Sequence, residues 1–150
     1  MAKFVFRLQS VLNLKARLEE QQRLSFAAAR KRLDEEEEKL QALYVRLEGY
    51  EDEARNMRHN ALVVRDILET ETSIIRVKEY IDEQKAQVRL REMQLEEERE
   101  KLVVAMQERQ MYEKLREKAF DEFVNEQNHA EGVENDEHNS YVYGQKTNEA

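Results

Sequence analysis

FAAARKRLDEEEEKLQALYVRLEGYEDEARNMRHNALVVRDIL, residues 26–68, decides the fold. Phe26, Ala29, Leu33, Glu36, Leu40, Leu43, Leu47, Tyr50, Ala54, Met57, Ala61, Val64 and Leu68 recur at alternating steps of three and four, and only Glu36 among them is polar. That spacing puts one apolar seam on one side of a long helix, the pattern of a coiled coil. Gly49 lies beside the seam, at an exposed position such a helix tolerates. Outward from this stretch, Val11, Leu14, Leu18, Gln22 and Phe26 continue the row toward the N-terminus less regularly, which predicts a looser or straighter rod there.

Composition agrees with a few long helices. Charged residues make up 39% of the 150-residue chain, with three glycines, no proline, no tryptophan and no cysteine. Such a chain lacks the punctuation of a multi-element globule. Without cysteine there is no disulfide, thiolate metal site or cysteine nucleophile. The longest apolar run is five residues, Leu102–Met106, against the roughly 20 that span a bilayer.

Thr70, Thr72 and Ser73 are the one cluster of weak helix formers inside the periodic region, which predicts a tight turn at 69–73. A second seam follows, with Ile74, Ile81, Val88, Leu95 and Leu102 interleaved by Val77, Gln84, Arg91, Glu98, Ala105 and Tyr112. The expected fold is all-α: a long antiparallel two-helix coiled coil, helix one about 4–69 and helix two about 73–124, with a parallel homodimer as the alternative. A turn at 71 faces Leu68 with Ile74, Ala61 with Ile81, Ala54 with Val88, Leu47 with Leu95 and Leu40 with Leu102. It also sets Arg91 near Tyr50, Glu98 near Arg46, and Arg109 near Glu36 or Glu37. Residues 125–150, rich in Asn and Glu, read as a frayed, disordered acidic tail.

Chemistry is hard to find. His59, His129 and His138 have no second ligand at a metal-binding spacing, and the glycines form no phosphate loop. Acidic runs such as 34–38 fan around a helix and cannot converge on one ion. The expectations are no catalysis, no metal, no cofactor, no nucleotide and no nucleic acid, since the cations are diluted by acids. Residues 1–18 do carry Lys3, Arg7, Lys15 and Arg17 without an acid, whereas 124–150 hold six acids against Lys146. The basic, apolar start suits a docking end for protein better than a membrane anchor.

The opening Phe4-Val-Phe6-Arg7-Leu8-Gln9-Ser-Val11-Leu12, and the stretch Ala105-Met-Gln-Glu108-Arg109-Gln110 to Lys114-Leu-Arg116-Glu-Lys118, resemble the flagellar FliJ family of type III export proteins. The resemblance implies a monomeric hairpin like the central stalk of rotary ATPases, peripheral at the cytoplasmic face of the cell membrane at the flagellar base and serving flagellum biogenesis and motility. It further implies three partners: the hexameric export ATPase, which the stalk docks in and activates, a membrane-embedded export gate, and export chaperones. By the family's pattern Phe4, Phe6, Arg7, Leu8, Val11, Leu12, Arg109, Lys114 and Arg116 would meet the ATPase, and Tyr80 the gate. After Tyr80, Gln84, Gln87 and Arg91 depart from the apolar row the family shows. The equivalent stalk of a virulence secretion system and an unrelated coiled-coil tether are the alternatives.

Overall fold

A computed structural model describes residues 2–59 and 64–149, with side chains described as far as Gln145. Two α-helices, α1 (Gln9–His59) and α2 (Val64–Glu149), pack against each other as a helical hairpin, with no strand among the described residues. They contribute to two compact units, Met1–Glu19 with Ala105–Ala150, and Glu20–Val104.

In the unit Glu20–Val104 the core is the predicted seam. Every position from Phe26 to Met57 on that row is buried or half-buried, as is every seam position from Ile74 to Leu102 on α2. Ala29, Leu33, Val77, Ile81 and Val88 are the buried apolar side chains of this unit. Two polar layers cross it. Gln22 donates from Nε2 to the Glu98 carbonyl (3.2 Å) and carboxylate, and Gln84 donates in the same way to the Glu36 carbonyl (3.0 Å) and carboxylate. The second layer lies two heptads further along α1 and two heptads back along α2, so the helices are antiparallel and their register is fixed. Each glutamine spends both amide hydrogens on one seam glutamate, which satisfies polar groups that would otherwise be costly to bury. A third polar seam residue, Arg91, donates through Nη1 to Gln94 (2.8 Å), while its Nε is buried without a partner beside Ala28 and Ala29.

These contacts correct the predicted register. Glu36, one turn before Leu40, faces Gln84, so Leu40 does not face Leu102. The same offset removes the pairs Leu47–Leu95 and Ala54–Val88, and Ala54 instead lines a groove with Ile74. Glu98 meets Gln22 and not Arg46, and Arg91 lies against Ala28 and Ala29 rather than Tyr50. Val64 and Leu68, expected on the seam, are 69% and 56% exposed. The pairing of Ala61 with Ile81 falls outside the described residues.

The turn is corrected too. Residues 69–73 lie inside α2, because their hydroxyls are absorbed locally: Thr72 and Ser73 donate to the carbonyls of Leu68 (2.9 Å) and Glu69 (3.0 Å), the i−4 bonding that lets these residues stay in a helix. Thr70 is buried, its hydroxyl 3.4 Å from the Met57 sulfur. α1 is described as far as His59, and α2 from Val64, ahead of the predicted turn.

Gly49 is helical, with nothing within 4 Å of an added Cβ. Gly49→Ala is expected to raise stability by about 0.5–1 kcal/mol, read as a rise in the chemical-denaturation midpoint at unchanged slope.

Candidate functional site

The unit Met1–Glu19 with Ala105–Ala150 holds all the predicted docking residues except Tyr80. Residues 2–6 have no regular secondary structure. Arg7 and Leu8 form a turn that feeds α1, closed by Gln9 N–H to the Phe6 carbonyl (3.1 Å) and Leu12 N–H to the Leu8 carbonyl (3.0 Å). Helix one therefore starts at Gln9, five residues later than position 4, because the aromatic segment before it is used for packing. Phe4 meets Phe120 edge-on at 5.3 Å and Phe123 at 5.5 Å, and the Arg116 guanidinium sits 5.4 Å from the Phe4 ring. Arg116 also donates to the Gln9 amide oxygen at 3.0 Å. This clasp ties the start of the chain to α2 by ring packing and a cation–π contact.

Below the clasp, Leu12 is the buried apolar residue and Glu19, 4% exposed, the buried charged one. Arg109 donates to Glu19 and, at 2.7 Å, to Glu113, and Lys15 pairs with Glu108 at 2.9 Å. The bonds to Glu113 and then Glu19 raise the Arg109 pKa, and the bond to Glu108 raises that of Lys15. The residues that take the seam positions before Phe26 differ from the expected leucine row. The seam keeps its alternating steps through Phe26, Gln22, Glu19, Lys15 and Leu12, but with polar residues. The leucine row expected in its place, Leu14 and Leu18, is 46% and 41% exposed. Arg109 accordingly meets Glu19 instead of Glu36 or Glu37.

The predicted docking residues thus divide. Phe4, Leu8, Leu12, Arg109 and Arg116 hold the two helices together, whereas Arg7 and Lys114 are exposed and Phe6 and Val11 half-exposed. Gln9, Lys15, Glu19, Glu108 and the ring pair Phe120 and Phe123 escaped the sequence reading. The three-four steps running back from Phe26 were the signal for the α1 members. Tyr80, in the other unit, is 46% exposed beside the seam residues Val77 and Ile81. Gln84 and Arg91 belong to the seam, so their departure from an exposed apolar row has a structural cause.

α2 runs past the end expected near residue 124. α2 continues as helix to Glu149, in a stretch with no proline and with no Cβ obstruction at Gly132 or Gly144. From Asn128 to Gln145 every residue except Val142 is exposed.

Glu36 supplies a pH handle in the other unit. The Gln84 hydrogen bond, aided by Lys39 and the Arg91 field and opposed by desolvation, holds its pKa below the ordinary value. A lowered carboxylate contributes stability above its unfolded pKa, about 4.3, and loses it as pH falls through the folded value. The melting-temperature gap between wild type and Glu36→Gln is therefore expected at pH 7 and should close as the pH drops below the usual carboxylate range.

Among the described residues no group of three or more His, Asp or Glu is placed to hold a metal, and no helix is long and apolar enough to cross a membrane. The chain is a helical hairpin whose unit Met1–Glu19 with Ala105–Ala150 holds an aromatic clasp and cross-helix ion pairs. The sequence profile described as "Flagellar FliJ protein" matches residues 4–148, and the chain belongs to the FliJ family. It is a flagellar export-related coiled-coil protein, of a family of non-catalytic components of the export apparatus. No curated protein and no solved structure matches it.

Proposed function

We propose that this protein is the stalk of the flagellar export apparatus, seating the clasped end of its hairpin in the hexameric export ATPase and activating hydrolysis. One observation carries the reading: Phe4, Arg116 and Phe120 fix the chain start against α2, giving a preorganised end from which Arg7 and Lys114 project into solvent. A preorganised end loses little entropy on docking, and exposed cations steer it toward an acidic opening. Tyr80 is the contact to the export gate, and the hairpin flanks receive export chaperones. The working form is one copy, peripheral at the cytoplasmic face of the membrane.

Hydrolysis by the purified export ATPase, measured with and without the chain, tests this. The chain is expected to stimulate hydrolysis and hexamer formation, and Arg7→Glu/Lys114→Glu to lose most of the stimulation with its helical circular dichroism intact. No stimulation at any salt concentration would refute the role. Tyr80→Ala should leave stimulation alone and weaken binding to the gate.

A further inference from the structure

The clasped unit carries an apolar face that its own helices leave open. Val11, Leu14 and Leu18 lie one residue back from the seam positions Leu12, Lys15 and Glu19, and Met111 and Leu115 one residue back from Tyr112 and Arg116. In an antiparallel pair, stepping one residue back on both helices leads to the same flank. Leu14, Leu18, Met111 and Leu115 are 46%, 41%, 52% and 42% exposed. The α1 border of this floor carries cations without an acid, whereas the α2 border carries both signs, Glu117 and Asp121 lying in the helical row of Lys114. Arg7 and Arg17 border it on the α1 side, Lys114 and Lys118 on the α2 side, and all four are exposed.

The same unit also ends in a complementary element. Residues 128–145 carry Glu131, Glu134, Asp136 and Glu137 and no Lys or Arg. At helical spacing Ala130, Val133 and Tyr141 lie on one side together with Glu137, and Glu134 lies at its edge, so apolar residues and carboxylates share that side. Val133 and Tyr141 are 41% and 65% exposed. No α1 segment lies beside this stretch, because α1 begins at Gln9, which meets Arg116. A lone helix of this length is marginal in water and draws stability from packing. α2 runs through it without a break, so the tail cannot turn back onto the face of its own chain.

We propose that the acidic tail helix seats on the cation-bearing apolar face of a second copy, and reciprocally, giving an antiparallel two-fold dimer. The contact is isologous and closes on itself. It joins an acidic helix that carries no Lys or Arg over residues 128–145 to a face bearing the exposed cations Arg7, Arg17, Lys114 and Lys118, so Coulomb attraction is its main source of affinity. The dimer covers Val11, Arg7 and Lys114, so it is a resting form distinct from the single copy that acts at the ATPase. The inference goes beyond the export reading, and its readout is mass, not hydrolysis.

Sedimentation equilibrium of the full chain at low salt is expected to move from 18.0 kDa to twice that mass as concentration rises, and back when salt is added. Arg17→Glu/Lys118→Glu makes the face acidic and Glu134→Lys/Glu137→Lys makes the tail basic. Each variant alone should stay monomeric, and an equimolar mixture should dimerise, since each tail then meets an opposite face. A wild-type chain that stays monomeric at every concentration, variants that dimerise alone, or a mixture that does not associate would overturn the proposal. So would a monomeric wild type that instead sediments with phosphatidylglycerol vesicles, which would make a lipid surface the occupant.

Discussion

Ile81→Ala is expected to lose about 2–3 kcal/mol of stability, toward the low end of the range for buried Ile truncations. Ile81 is 4% exposed, but most neighbouring seam residues are only half-buried, so water can partly fill the space left. Leu68→Ala, by contrast, should change stability by no more than about 0.5 kcal/mol, because Leu68 is 56% exposed. The predicted turn at 69–73 would give Leu68 a seam partner and a real cost. Urea unfolding of both variants separates the two arrangements by size of effect.

The second large effect concerns the ionic layer of the clasped unit. Arg109→Leu removes the guanidinium that pairs with the buried Glu19 carboxylate and with Glu113, and breaking a buried pair from one side is destabilising. Its melting temperature should fall well below wild type. Glu19→Leu/Arg109→Leu replaces the layer with apolar seam residues of the kind found at Leu33 and Leu40, and should recover to wild type or above. The non-additivity is the signature of a seam pair. If the double variant is as unstable as Arg109→Leu alone, Glu19 and Arg109 do not pack across the seam.

Periodicity was legible in the sequence and register was not, for one physical reason. A heptad seam looks alike every seven residues, so sliding α2 by whole heptads keeps apolar rows facing apolar rows. The match of Leu40 with Leu102 was one of several such solutions. Polar seam residues break the degeneracy: Glu36 needs the Gln84 amide and Glu98 the Gln22 amide. Their partners could not be read from spacing alone, because long side chains also reach solvent. The weak helix formers at 70–73 misled through propensity, which the hydroxyl bonds to Leu68 and Glu69 override. Toward the N-terminus the leucines 14 and 18 drew attention from Lys15 and Glu19, the residues that occupy the seam. Membership of the family was legible as a resemblance in Phe4–Leu12 and Ala105–Lys118. What that motif does locally, clasping Phe4 between Phe120, Phe123 and Arg116, appears only once the chain is folded.

The functional account rests on which end of the molecule meets the ATPase. Amide hydrogen exchange of the full chain, alone and saturated with the assembled export ATPase, tests this most directly. The account predicts added protection over residues 4–18 and 109–118, with residues 40–57 unchanged. Protection confined to the region around Tyr80, or none at either end of the chain, would contradict it.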